Sequence, residues 1–137
     1  MAGQTPLLIE SDGRNHSVPD HFETVNYYIN GATGTSDDVL LHICERETVV
    51  DSIVVRSPST DTNAAASFKK APSATALASG QAFASFSSGV VANTNKPATI
   101  DIDHNIVEAG SSIGIDITTA GGTDLMITMR IRTRVTG

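Results

Sequence analysis

From about residue 22 onward, apolar and polar positions alternate with period two, the pattern of strands with one face against a core. Val25, Tyr27 and Ile29 share a face ahead of a polar loop at 30–36. Val39, Leu41 and Ile43 share the next, with Leu40, His42 and Cys44 opposite. Because both of those faces are apolar, the pattern predicts a strand in the middle of its sheet. The run Thr48–Arg56 closes at Ser57-Pro58-Ser59-Thr60, and Ala64, Ala66 and Phe68 alternate up to Lys69-Lys70 before a turn at Ala71-Pro72-Ser73. Residues 74–92 are nearly all Ala, Ser, Gly and Thr, with Leu77, Phe83 and Phe86 as anchors; their composition admits a short helix or short strands and loops. In the last third, Ile100 and Ile102 alternate with Asp101 and Asp103, and Ile113, Ile115 and Ile117 alternate with Gly114 and Asp116. Finally, Leu125, Ile127, Met129, Ile131 and Val135 oppose Met126, Thr128, Arg130, Arg132 and Arg134. About eight short strands without a long helical period predict an all-β fold, an antiparallel β-sandwich or jelly roll.

Residues 1–20 have no sustained period. The polar, turn-rich run Glu10–Asp20 reads as an extended N-terminal arm that orders on a neighbour, which leaves 21–137 as the sandwich domain. Composition agrees with strands: 12 Ile and 11 Val stand against 6 Leu, and β-branched side chains favour a pleated surface. At 137 residues the chain is the size of one domain and can form a core without disulfides or a metal.

A net charge of −6 argues against a general nucleic-acid binder. No stretch approaches the roughly 18 consecutive apolar residues of a membrane span. The first residues show neither the basic nor the apolar region of a secretory signal, so synthesis in a cytoplasm is expected. Cys44 is the single cysteine, which excludes an intrachain disulfide.

Candidate chemistry is sparse. His42 and Cys44 lie two apart on one strand face, where a free cysteine ordinarily packs as a small hydrophobe. His16, Asp20 and His21 are conceivable metal ligands, but the arm provides no rigid element to hold them. Asp101, Asp103 and Asp116 offer oxygen ligands, yet alternating Asp is more simply the wet face of a strand. No Gly-x-Ser-x-Gly, phosphate loop, dinucleotide turn or His pair of a cupin-like metal site is present. The reading is therefore a non-enzyme without cofactor or metal. The one unusual feature is Arg130, Arg132 and Arg134 on a single face of the last strand. Either neighbouring acids such as Asp101, Asp103 and Asp116 balance them, or they form a contact row for an acidic surface on another chain.

Two stretches carry a resemblance: Val50–Val55 followed by Ala66-Ser67-Phe68-Lys69-Lys70-Ala71-Pro72-Ser73-Ala74-Thr75-Ala76-Leu77-Ala78-Ser79-Gly80, and then Val107-Glu108-Ala109-Gly110-Ser111-Ser112-Ile113-Gly114-Ile115-Asp116-Ile117. Over about residues 48–135 the chain resembles small virion proteins of tailed bacteriophages. It departs from their pattern at Ala74, where Gly is favoured, and at Ser111, where Asp is favoured. The resemblance implies a capsid decoration, or cement, protein: a β-sandwich, often trimeric, that binds the major capsid protein on the outside of the head and involves neither nucleic acid nor membrane. Under that reading the expected contact residues are Asn15, His16 and His21 at the arm and Arg130, Arg132 and Arg134 on the last strand. The alternative is a tail or host-attachment module that recognises a surface glycan. Against it, the chain has no Trp to form a sugar platform.

Overall fold

The structure, a computed structural model, describes residues 21–32 and 36–133. The chain forms two five-stranded antiparallel sheets stacked as a sandwich. The first sheet is built on β1 (His21–Ala32), β10 (Thr123–Thr133) and β3 (Thr48–Arg56), in the order β1-β10-β3, with the two-residue strands β6 (Lys96–Pro97) and β8 (Ile106–Val107) on the far side of β3. The second runs β2 (Ser36–Ile43), β9 (Ser112–Thr119), β4 (Ala65–Ala71), β5 (Gln81–Phe86) and β7 (Thr99–Ile100). No helix among the described residues is long and apolar enough to cross a membrane.

The period-two pattern places the core. Ile113, Ile115 and Ile117 from β9 meet Ile127, Met129 and Ile131 from β10, all buried, with Ile53, Val55, Phe68 and Phe83 between them. Val25, Tyr27 and Ile29 flank this cluster half-buried, as expected for an edge strand. The anchors Leu77, Phe83 and Phe86 are all buried. Within 74–92 the chain makes one 3₁₀ turn, Leu77–Ser79, and then β5. Ala74, where the phage pattern favours Gly, has φ +72, a left-handed conformation that costs a residue with a Cβ roughly 1 kcal/mol.

Two expectations are corrected. Among the described residues β2 is an edge strand, not a central one, and Leu40 and Ile43 are 61% and 67% exposed. The sheet order sets the edge position, and a bulge changes the faces: Leu40 pairs with Gly114 but His42 with Ile113, so Leu41 is an extra residue and the alternation changes phase. Ile43 thus joins Leu40 on the outside, while Cys44 turns inward and is buried. Second, the alternation at 100–103 does not continue as a strand. Asp101 accepts the Asp103 N–H at Oδ1 (3.0 Å) and its Oδ2 lies 2.8 Å from His104 Nδ1, so the side chain closes a turn and Ile102 is left 80% exposed.

Candidate functional site

Three surfaces carry chemistry. The first is the outward face of the β1-β10-β3 sheet. Register places Phe22 beside Arg132, Thr24 beside Arg130, Asn26 beside Thr128 and Tyr28 beside Met126. Two of the predicted arginines are therefore on one exposed face. β3 carries a bulge here: Arg130 pairs with Ser52 and Ile131 with Val50, which leaves Asp51 as the extra residue. Asp51 accepts from Arg132 Nε at both carboxylate oxygens, at 3.1 and 2.9 Å. Arg130 has no ion pair among the described residues and is exposed over a cleft of about 160 Å³ that Phe22, Thr24 and Asp51 help to line.

Arg132 is thus balanced by an acid other than those expected. Asp101 and Asp103 belong to the turn after β7. Asp116 is nearly buried on the other sheet, with Oδ2 2.9 Å from Lys69 Nζ. The three do not converge, and no group of three or more potential metal ligands occurs among the described residues. His21 lies at the exposed start of β1, its Nε2 3.9 Å from Glu23. Asn15, His16 and Arg134 lie outside the described residues, as do the arm at 1–20 and its boundary.

The second surface is an apolar groove of about 460 Å³ on the outer face of the β2 sheet, walled by Leu40, Ile43 and the turn Pro72–Ala76. Leu77 closes one side by resting on Gly114, where a Cβ would collide with it. The phase change at Leu41 is what brings Ile43 to this groove beside Leu40.

The third feature is a polar seam where β1 meets β2 across the two sheets. Tyr27 Oη and His42 Nδ1 share a short hydrogen bond, and the rings meet edge to face. Burial lowers the His42 pKa below its ordinary 6.5, with Glu23 opposing, and burial also raises that of Tyr27. Both shifts favour the uncharged pair, a protonated phenol against a neutral imidazole. Burial likewise pushes the Cys44 thiol up, which makes it a poor nucleophile.

Because the folded His42 binds a proton less readily than the unfolded one, the unfolded state holds more protons just below pH 6.5, and stability must fall as pH drops through that window. Urea midpoints between about pH 7.5 and 5 are expected to show this loss, and His42→Gln to diminish it. An identical acid slope in the variant would contradict the assignment.

No protein-family profile matches the chain, and no curated protein does. Among solved structures, the fold is similar to a chain of the cyanophage Pam1 capsid asymmetric unit, with a TM-score of 0.50 at 14% identity over 91% of this chain and 94% of that one. A chain from the disulfide-linked pili of Bacillus endospore appendages aligns over 96% of this chain and 100% of its own, with a TM-score of 0.44 at 14% identity. The likeness to the capsid chain concerns the fold alone, and the class it shares is the one the two sheets define: an antiparallel β-sandwich.

Proposed function

We propose that this chain is a structural protein of a phage virion that works by contact rather than catalysis, as a decoration protein bound to the outside of the head. The observation that carries the reading is the outward face of the β1-β10-β3 sheet. There β10 presents Arg130 without an ion pair among the described residues, on the face that also carries exposed Phe22 and Tyr28. A surface with an accessible guanidinium and aromatic rings suits a partner offering carboxylates and apolar side chains. The likeness in fold to a chain of a phage capsid supports the same setting. In this role the protein would add buried area across seams between capsid subunits, so binding would favour the assembled shell over free subunits.

The test is co-sedimentation of the purified protein with assembled heads of the phage that encodes it, followed by location of the bound density by electron microscopy. Wild type is expected to saturate a fixed set of sites. Arg130→Glu with Arg132→Glu should lower affinity at least about tenfold while leaving the circular dichroism spectrum unchanged. Absence of the protein from heads sinks the proposal, and full occupancy by the folded double variant sinks the arginine face as its contact.

A further inference from the structure

We infer that β1 is the seam of a twofold homodimer, in which two copies pair antiparallel about Val25 and join their β1-β10-β3 sheets into one. The inference goes beyond the capsid role and holds for the free protein. Its starting point is unequal protection of the sheet edges. On the far side of the first sheet, the strands are two residues long, and β6 is Lys96–Pro97, a charge and a residue without an N–H. β7, at the far edge of the second sheet, is equally short. β2 is interrupted twice by irregular register. Each of these features discourages pairing with another strand.

β1 has none of them along most of its length. It pairs with β10 without interruption from His21 to Ile29, contains no Lys, Arg or Pro, and has a strand neighbour on one side alone among the described residues. Its outward face carries two of the exposed large hydrophobics, Phe22 at 61% and Tyr28 at 55%. A long regular edge with exposed aromatic rings is a template for another strand.

The side chains indicate which strand. Phe22 and Tyr28 lie three residues either side of Val25, Glu23 and Tyr27 two, and Thr24 and Asn26 one. An antiparallel copy centred on Val25 therefore sets each Phe22 opposite Tyr28 of the second copy and Thr24 opposite its Asn26. Glu23, the only acid of β1, falls opposite a tyrosine rather than opposite itself, as a register centred on residue 23 would require. Aromatic cross-strand pairs at both ends, with hydrogen-bonding side chains between them, are a self-complementary set, and a twofold interface needs that property. An axis normal to the sheet also keeps both arginine faces on one side, so a dimer would present two contact surfaces to a lattice together.

Native mass spectrometry and sedimentation over a concentration series test this on the full chain. Wild type is expected at twice the 14.3 kDa chain mass. Two exposed-face variants probe the register: Phe22→Lys with Tyr28→Lys, and Phe22→Glu with Tyr28→Glu. Each places like charges opposite one another and is expected to lose the dimer while keeping the wild-type circular dichroism. An equimolar mixture of the two should recover a dimer of mixed mass. Wild type that stays monomeric at every concentration, as when residues 1–20 of the same chain take the edge, overturns the inference. So does a trimer, a dimer that survives in both charged variants, or a mixture that recovers no mixed dimer. None of these readouts involves heads, so their failure and that of the capsid role are separable.

Discussion

Phe68→Ala is expected to destabilise the protein by about 3–5 kcal/mol, the range for deleting a fully buried aromatic ring. Phe68 has no exposed surface and sits in β4, between Ile115 of β9 and Ala84 of β5 in the register. With Trp absent and only four Phe in the chain, few side chains are large enough to fill the space between the sheets. The neighbours on either side offer little to close the gap. Ala66 and Ala84 are already small, and the isoleucines of β9 are stiff at χ1, so the cavity would persist rather than collapse. The control is Ile102→Ala, at a position 80% exposed in a turn, which should stay within about 0.5 kcal/mol of wild type. Urea denaturation at one protein concentration reads both. A loss below about 1.5 kcal/mol for Phe68→Ala would mean that this ring does not span the two sheets.

That Phe68 belongs to the core was legible from its alternation with Ala64 and Ala66, and the same logic found the buried isoleucines of β9 and the apolar face of β10. Period-two patterning reports which face of a strand is dry, because burial acts on each side chain in turn. It does not report which strands are neighbours. β10 lies between β1 and β3, pairing Phe22 with Arg132 across the length of the chain, and no local signal encodes that choice. Nor does the pattern show bulges. One extra residue at Leu41 put Ile43 on the outer face of β2 beside Leu40, and another at Asp51 brought the carboxylate to Arg132. Both alter the candidate site more than any change of residue type would. The arginine row could be read because like charges at alternate positions are unusual, whereas its acid partner could not, since Asp51 reaches it through an irregularity. The Tyr27–His42 seam was likewise beyond reach: it joins edges of two different sheets, and neither residue is distinctive in its own strand.

Gly89→Ala is expected to cost about 2–5 kcal/mol, by adding backbone strain to steric overlap. Gly89 adopts φ +81, where a Cβ is unfavourable by roughly 1–2 kcal/mol. Unlike other glycines in that region of conformation, it also lies against rigid atoms. A Cβ there would fall 2.5 Å from Thr62 C and 2.6 Å from Thr62 Cα, and would also overlap the Asp61 carbonyl oxygen. These atoms cannot swing away as a side chain would, because the segment is tied on both sides. Gly89 N donates to Ala64 O at 2.9 Å, and Asp61 and Val90 exchange backbone hydrogen bonds of 2.9 and 2.8 Å. The Asp61 carboxylate is itself committed, accepting from Asn63 N at 2.9 Å and from Gly122 N at 3.2 Å. Relief of the overlap must therefore open the clasp that holds the chain after β5 against the loop before β4, and with it the approach to β10. Gly110→Ala separates the two contributions. Gly110 has φ +88 but nothing within 4 Å of the added carbon, so it should show the conformational cost alone, about 1–2 kcal/mol. If the two variants lose equal stability in urea, the clasp is not rigid and the overlap is absorbed by movement of residues 61–64. A clearly larger loss for Gly89→Ala, accompanied by faster amide exchange at Asp61 and Val90, places the steric cost in this crossing.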